Sequence, residues 1–321
     1  MPKISIIIPV YNAEKYLEMT LNSVRTQTFT DYEVICMNDG STDKSLQILE
    51  KFAKQDNRFK IYSQSNAGGS EARNNAIKKA TGEYIAFLDN DDIYHPNYLE
   101  ILFYNIENYE ADVSCCSYVR FEGEEDYKFN QDKDTKKGIF VSENPFIDKF
   151  KRKKKVETLM WTKLYKKELL QEIKFSEKLP AINDILFNIE VLLKAKKLVQ
   201  IKEKLIAYRI IPTSQTMKKL TLNCLEEYRN LAIELKQLSK RYEKYNNIIE
   251  KITANYIYGM YVTEVKDKYK IADEPELYKK IAQNIAALKE QKIFNPQKLK
   301  LSRQIQLFFF LRKIKKTNEA E

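Results

Sequence analysis

The stretch that decides the fold reads Tyr84-Ile85-Ala86-Phe87-Leu88-Asp89-Asn90-Asp91-Asp92. Its apolar first half predicts a buried β-strand, and three carboxylates follow within four residues. Clustered carboxylates repel one another and are costly to bury unless a cation neutralises them, and no Lys or Arg lies in sequence reach. Hard oxygen ligands on a short turn suit Mg²⁺ or Mn²⁺. The alternative is an acidic turn that caps a helix starting near Pro96.

Short strands and longer helices alternate along the N-terminal half. Apolar runs predict strands at residues 4–10, 32–37, 59–62, 84–88 and 111–118. Helices are predicted from about Glu14 to Gln27 with Asn12 as N-cap, from the 38–43 turn to Gln55, and after Gly68-Gly69. This alternation predicts an α/β fold with a mostly parallel sheet flanked by helices.

The polar residues that follow the strands are expected to meet. In such sheets ligands bind outside the carboxyl ends of the strands. The residues predicted to converge on one crevice are Asn12, Asp39, the Gly68-Gly69 turn and Asp89–Asp92. Neither the GxGxxG spacing of a dinucleotide site nor GxxxxGK[ST] is present, so a Rossmann oxidoreductase and a P-loop NTPase are poor fits.

Four motifs in this half resemble, in order and spacing, the family 2 glycosyltransferases. They are Pro9-Val10-Tyr11-Asn12, Asn38-Asp39-Gly40-Ser41-Thr42-Asp43, Ala72-Arg73-Asn74 and Phe87-Leu88-Asp89-Asn90-Asp91-Asp92. The resemblance is dense over residues 3–96 and continues more weakly through Trp161, Lys163-Leu164-Tyr165, Asn183-Asp184 and Tyr208-Arg209. It implies a GT-A-type, Rossmann-like fold. It also implies an inverting transferase that takes a sugar from a nucleotide diphosphate sugar with Mn²⁺ or Mg²⁺, with uridine donors favoured.

The resemblance also implies roles for individual residues. The nucleotide-binding set would be Pro9, Tyr11, Asp39, Arg73, Asp89 and Asn90, and the metal ligands would come from Asp89, Asp91 and Asp92. The sequence does not rank the three aspartates. Alternatives remain, because Asp39 and Asp43 are also typical turn and N-cap residues and Arg73 could be a solvated helix charge.

An inverting transfer needs a base that deprotonates the acceptor hydroxyl, and one positioned carboxylate is sufficient. The family usually carries this base as the Asp of a Glu-Asp pair before a helix. Here the pair is Asn183-Asp184, so Asp184 matches the base and Asn183 departs from the pattern. Without a neighbouring carboxylate, Asp184 loses one cause of a raised pKa. Alternatively, Asp184 is the N-cap of the helix through Lys194.

Two further side chains near these motifs keep two interpretations each. His95, the single histidine of the chain, is either a satisfied turn residue or a metal ligand. Trp161, the single tryptophan, either packs between segments or forms a platform for the acceptor sugar.

Charge is unevenly distributed along the 321 residues. Residues 1–118 hold 11 Lys and Arg against 17 Asp and Glu, a net of −6, so the whole-chain charge of +10 leaves +16 for residues 119–321. The cationic run 151–155 matches no nucleic-acid-binding module, so no nucleic-acid partner is expected. Anionic lipid headgroups or a lipid-linked acceptor's phosphates suit it better. The four cysteines lack metal or disulfide spacing, which is typical of a reducing cytoplasm.

The chain is long enough for a catalytic domain and a further region. We predict a catalytic domain at residues 1–218, with a nucleotide-sugar half at 1–118 and an acceptor half at 119–218, followed by a helical region at 219–321. Within residues 301–316, Phe308, Leu311 and Ile314 share one face at helical spacing, among several cations. Such a segment is either an interfacial membrane helix or a helix docked onto its own domain or a partner.

Three functions remain open from the sequence. The leading one is an inverting, metal-dependent glycosyltransferase that builds a cell-surface glycan, acting on a glycan or lipid-linked acceptor. We expect it in the cytoplasm, at the cytoplasmic face of the inner membrane if the tail binds lipid. The others are a nucleotidyltransferase, which would also use paired acids, and a catalytically silent nucleotide-sugar-binding or scaffold protein, suggested by Asn183. The donor sugar, the linkage and the oligomeric state cannot be read from the sequence.

Overall fold

The computed structural model describes residues 1–123, 129, 138–211, 222–263 and 274–318. It has a mixed α/β architecture with a central sheet and a helical C-terminal region, as predicted. The chain divides into two compact units, Met1–Ser214 and Gln215–Glu321. The sequence had placed a boundary nearby, at residue 218.

One sheet of nine strands forms the centre of the first unit. The strands are β1 (Ile4–Val10), β2 (Tyr32–Asp39), β3 (Phe59–Gln64), β4 (Tyr84–Phe87), β5 (Ile93–Tyr94), β6 (Val113–Phe121), β7 (Phe140–Ser142), β8 (Lys163–Lys166) and β9 (Leu198–Arg209). Their order is β3-β2-β1-β4-β8-β6-β9-β5, and β7 also pairs with β9.

The first four strands are parallel, as the strand–helix alternation predicts. Strand β8 runs antiparallel between β4 and β6, so β6 and its parallel neighbour β9 point the same way as β4. Six of the nine described strands therefore share one direction, and β5, β7 and β8 oppose it. Every residue of β1 and β2 is buried, because helices cover both faces of this part of the sheet.

Six α-helices lie in the described part of the first unit. They are α1 (Leu17–Arg25), α2 (Ser45–Gln55), α3 (Gly69–Lys79), α4 (Tyr98–Asn108), α5 (Pro145–Phe150) and α6 (Asn183–Lys194). The prediction that Asn12 caps a first helix beginning near Glu14 is wrong. Helix α1 begins at Leu17, and Asn12 lies in the left-handed region with φ 46°. Its side-chain oxygen instead accepts a hydrogen bond from the Thr42 amide at 2.8 Å, which joins the loops after β1 and β2.

Four helices form the second unit among its described residues. They are α7 (Leu222–Arg241), α8 (Asn246–Tyr258), α9 (Pro275–Glu290) and α10 (Leu301–Asn318). They pack around an apolar cluster that includes Tyr261, Ile281 and Ile285. This agrees with the helical pattern of the sequence. No helix in the described ranges combines the length and the apolar character that crossing a membrane requires.

The tail helix α10 is docked into that cluster, and the predicted membrane face is wrong. Leu307, Phe310 and Ile314 are buried in the cluster, whereas Phe308 is exposed. The sequence grouped Phe308 with Leu311 and Ile314, but apolar residues lie on more than one side of this helix, so spacing alone did not select the buried side. The side chain of Lys316, which belonged to the predicted cationic set, lies outside the described side chains.

Candidate active site

The loops after β1, β2 and β4 meet at the carboxyl edge of the parallel strands. The amide of Asn90, in the loop after β4, donates a hydrogen bond to the carbonyl of Pro9 at the end of β1, at 3.0 Å. Asn12 connects the loop after β1 to Ser41 and Thr42 after β2. The convergence expected from the strand order is therefore present.

Asp39, the last residue of β2, organises the loop that leads into α3. Its carboxylate is buried and accepts hydrogen bonds from the Gln64 side chain at 2.8 Å, the Ala67 amide at 2.9 Å and the Gly68 amide at 2.8 Å. Gly68 has a φ of +88°, a conformation that a side chain would disfavour. Because a carboxylate has about four acceptor positions, one remains for a ligand's N–H or O–H group.

Arg73 and Asp89 form an ion pair across the crevice. An Arg73 guanidinium nitrogen lies 2.6 Å from a carboxylate oxygen of Asp89. The guanidinium also lies over the ring of Phe175, 5.7 Å from its centroid. The Nε atom of Arg73 is buried and has no hydrogen-bond partner in the described structure. No Lys or Arg lies in sequence reach of the acid cluster, but in the fold Arg73 reaches it from helix α3.

The other two acids of the loop lie deeper. Burial and then the negative charge of Asp89 raise the pKa of Asp91 to about 6. Asp92 is fully buried, and burial followed by the charge of Asp91 raises its pKa well above the ordinary value. One Asp92 oxygen accepts a hydrogen bond from the Arg209 amide at 2.9 Å, while the other has no partner in the described structure. Among all the residues that the structure describes, no group of three or more His, Cys, Asp or Glu side chains is arranged to hold a metal ion.

Arg209, at the end of β9, clamps the acid loop from the opposite side. Its Nε atom donates to the carbonyl of Asp91 at 2.9 Å, and its guanidinium lies 4.2 Å from the ring centroid of Tyr16 and 4.4 Å from that of Phe121. Tyr208-Arg209 belongs to the weaker part of the family resemblance, which implies no role for it. Arg209 lies more than 100 residues from the acids in the sequence, so no local sequence pattern indicates that they are in contact.

The segment before α6 is fastened to α3. The side chain of Asn74 on α3 accepts from the Phe175 amide and donates to the Phe175 carbonyl, both at 2.9 Å. Asn183, the first residue of α6, donates to the hydroxyl of Ser70 at 2.9 Å. The first turn of α6 is thereby held beside the first turn of α3, and Arg73 lies in the next turn of α3. Asn183, where this chain departs from the family pattern, thus has a hydrogen-bond partner in Ser70.

Asp184 lies in the first turn of α6 and is not its N-cap, which is Ile182. Burial raises the pKa of Asp184, the cation of Arg73 opposes that rise, and the charge of Asp89 adds to it. Asp184 is therefore in electrostatic reach of the Arg73–Asp89 pair. Asn183 supplies no carboxylate that would raise the pKa of Asp184. Burial and the charge of Asp89 raise it instead.

A buried lysine lies under this turn. Lys163 of β8 is fully buried, and its ammonium group donates to the carbonyl of Leu159 and, at 3.2 Å, to the side-chain oxygen of Asn188. The Asn188 amide in turn donates to the carbonyl of Asp184 at 2.7 Å. Burial lowers the pKa of Lys163 to about 8. Sequence analysis assigned Lys163 no function, because a lysine in a strand is ordinarily solvated.

The remaining candidates lie around the crevice in different settings. Tyr11 is half exposed after β1. The Nδ1 atom of His95 accepts a hydrogen bond from the Asn97 amide at 3.1 Å, which is the bonding of a turn residue. Trp161 is buried and stacks on Tyr208 with ring centroids 5.2 Å apart and an interplanar angle of 3°, as expected of packing between segments.

At its carboxyl edge the mostly parallel sheet carries an acidic loop paired with a cation, in keeping with the resemblance to GT-A-type glycosyltransferases. Residues 5–174 match the model of the family described as glycosyl transferase family 2. These residues make up more than half of the chain, and the chain belongs to this family. The family predicted from the motifs is thus confirmed.

Individual relatives agree with this assignment. The chain is 35% identical to the glycosyltransferase GlyA of Streptococcus pneumoniae over 214 residues, which are 65% of this chain but 30% of GlyA. The structure of residues 1–349 of TarS from Staphylococcus aureus, in complex with UDP-GlcNAc, is similar with a TM-score of 0.69 and 22% identity. The similarity covers 99% of this chain and 92% of that one. A mannosyltransferase of Pyrobaculum calidifontis in complex with GDP-mannose and Mn²⁺ has the same fold with a TM-score of 0.53 and 13% identity, over 98% of this chain and 87% of that one.

Proposed function

We propose that the chain is an inverting, metal-dependent transferase that moves a sugar from a nucleotide diphosphate sugar to a hydroxyl of a glycan or lipid-linked acceptor. The observation that carries the proposal is the hydrogen bond from Asn183 to Ser70, which holds the first turn of α6 beside α3. It brings Asp184, a candidate base, to the helix whose Arg73 pairs with Asp89, two residues that would hold the donor. UDP-sugars are the favoured donors, since TarS, a structural neighbour, holds UDP-GlcNAc.

The nucleotide would lie along the carboxyl ends of β1 and β2. Asp39 has one acceptor position free for the base or ribose, and Tyr11 is half exposed after β1. The backbone at Pro9 is fixed by Asn90, which holds that edge in place. Arg73, with an unpartnered Nε, would bind the diphosphate, because a guanidinium presents paired donors to phosphate oxygens.

The acid loop has the chemistry of a site for Mg²⁺ or Mn²⁺. Its carboxylates are hard oxygen donors, and the raised pKa of Asp91 and the unpartnered oxygen of Asp92 indicate that negative charge is under-compensated there. Asp89 and Asp91 are the first candidates to hold the ion, and Asp92, which is bonded to Arg209, comes after them. A bound ion would supply positive charge that stabilises the leaving diphosphate.

Asp184 would act as the general base. Its carboxylate would take the proton of the acceptor hydroxyl while that oxygen bonds to the anomeric carbon. The bond from this carbon to the diphosphate breaks on the opposite face, so the configuration inverts. A raised pKa suits this role, because a base works best when its pKa approaches the working pH.

The other functions gain no support from the site. A nucleotidyltransferase would have no use for Asp184. A silent protein was suggested only by Asn183. The hydrogen bond from Asn183 to Ser70 gives a structural reason for an asparagine at this position.

The test is a donor screen with the purified chain. Mn²⁺ and individual sugar nucleotides are supplied with and without mixed glycan and lipid-linked acceptors, and released nucleoside diphosphate is measured. We expect release from a uridine donor that increases with acceptor. Release of sugar 1-phosphate, with the nucleotidyl group passed to the acceptor, would instead indicate a nucleotidyltransferase, and donor binding without any release would indicate a silent protein.

The cellular setting is part of the proposal. Cys36, Cys115 and Cys116 are free thiols, as suits a reducing compartment. We place the enzyme in the cytoplasm at the inner face of the membrane, where it would contribute to a cell-surface polysaccharide.

A further inference from the structure

Helix α10 has a second apolar face that nothing in the described structure covers. Of its side chains, Leu301 is 71% exposed, Ile305 48%, Phe308 60% and Phe309 59%. At about 100° per residue these four positions lie on one side of the helix. A stripe of large apolar side chains at this exposure is a sign of an interaction site, because a solvated helix face is normally polar.

The opposite side of the same helix fixes its orientation within the second unit. Leu307 and Ile314 are 4% and 1% exposed, and both belong to the apolar cluster of the helical unit together with Phe310. Tyr278 of α9 lies 5.8 Å from the ring of Phe310. Because this side is held by packing, the exposed stripe is presented outward by a fixed helix and is not a frayed end.

The charged residues of helix α10 itself are all of one sign. Residues 301–318 contain five cations and no Asp or Glu. Arg312, Lys313 and Lys315 are exposed near the C-terminal end of the stripe, and Lys300 is exposed just before it. Arg312 continues the stripe itself, because it follows Phe308 and Phe309 at helical spacing.

We infer that this face of α10 binds the surface of an anionic phospholipid membrane. Aromatic and aliphatic side chains flanked by cations suit the boundary between acyl chains and headgroups. A second copy of the chain suits the face less well, since pairing two such helices would bring like charges together. The inference does not depend on the proposed transferase chemistry, and it gives the tail both of the roles that the sequence left as alternatives.

The experiment is co-sedimentation of the full chain with vesicles of phosphatidylcholine alone and of phosphatidylcholine mixed with phosphatidylglycerol. We expect binding to the mixed vesicles that weakens as salt rises, because headgroup attraction is screened. The double variant Phe308→Ser/Phe309→Ser should bind about 100-fold more weakly, since each ring contributes about ten-fold when it is buried. Arg312→Gln should cost about five-fold on mixed vesicles only.

The matched control is Tyr104→Ser, which removes an aromatic side chain that is 64% exposed on α4 of the other unit. It should bind vesicles like the wild type, and all variants should keep the wild-type melting temperature. Wild-type binding by the double variant would overturn the inference, as would absence of wild-type binding to the mixed vesicles. A further contradicting outcome would be a wild-type chain that does not bind vesicles but forms dimers in sedimentation velocity, when the double variant does not form them.

Discussion

Among the individual residues of the site, Arg73 and Asp89 form an ion pair with each other in the structure. The two groups are 2.6 Å apart and neutralise each other before any donor arrives. In the proposed function both would change partners, Arg73 to the diphosphate and Asp89 to the metal ion. The pair would therefore neutralise these two side chains until the metal ion and the donor replace them as partners.

The first prediction concerns Asp91. Asp91→Ala should lower turnover by roughly 100-fold or more, because one ligand of the ion is lost. The melting temperature should stay equal or rise, since burial and Asp89 make the charged form of this carboxylate unfavourable. Nucleoside diphosphate release at saturating Mn²⁺ and a thermal melt provide both measurements. Asp31→Ala, at an exposed position, is the control.

Full turnover by Asp91→Ala would remove that residue from the metal site. Undiminished wild-type turnover in excess EDTA would remove the metal from the mechanism altogether.

Among the elements, the sheet is stabilised by a buried carboxylate on β2. Glu33 accepts hydrogen bonds from Ser5 of β1 at 2.7 Å, from the amide and hydroxyl of Thr81 at 2.6 and 2.8 Å, and from Lys60 of β3 at 2.7 Å. Burial alone would raise the pKa of Glu33, but these donors outweigh it and lower the pKa to about 2. One side chain thus ties β1, β2 and β3 to the turn before β4.

The second prediction is that Glu33→Gln lowers the free energy of unfolding of the first unit by about 2–3 kcal/mol at pH 7. Because the folded pKa lies below the ordinary value of 4.5, this stabilisation is complete above pH 4.5 and is lost as the pH falls toward 2. Urea unfolding of both proteins at pH 7 and pH 3 should show the difference shrink. A difference that is constant with pH would contradict the assignment.

Glu83→Gln is the matched control for this experiment. Glu83 pairs with Lys3 at 2.9 Å, but both side chains are about half exposed, and such surface pairs contribute little. We expect no measurable change in stability from this variant.

Strands β1 to β4 and β6 could be predicted from the sequence, because their apolar runs and the turn residues between them are local signals. Strands β5, β7, β8 and β9 and the long-range contacts were not predicted. The first helix was misplaced because Asn12 bonds to Thr42, 30 residues away. The role of Arg209 and the partner of Asn183 depend on chain segments that meet only in the folded protein. The tail was assigned the wrong face because helical spacing allowed more than one apolar side.

At the scale of the whole molecule, the two compact units have separate cores. The second unit's core depends on the tail, because α10 contributes Leu307, Phe310 and Ile314 to it. Stability and the proposed membrane contact are therefore assigned to different sides of one helix, and substitutions on the two sides should have different effects.

The third prediction compares those sides. Ile314→Ala should destabilise the second unit by about 2–5 kcal/mol, because it leaves a cavity at a position that is 1% exposed. Phe308→Ala should change stability by less than about 0.5 kcal/mol, since its ring is already in water. Hydrogen exchange resolved over α7 to α10 would measure both effects. Equal protection in the two variants would contradict the docking of α10.

The central claim, that Asp184 is the base of a glycosyl transfer, is tested most directly by Asp184→Asn. The amide keeps the shape of the carboxylate but cannot accept the acceptor's proton, so transfer should fall by roughly 10²–10⁴-fold. Donor affinity, measured by calorimetry, should stay within about two-fold, because the substitution leaves the proposed donor residues unchanged. Asp31→Asn serves as the surface control. Transfer at the wild-type rate by Asp184→Asn, with the donor bound normally, would contradict the account.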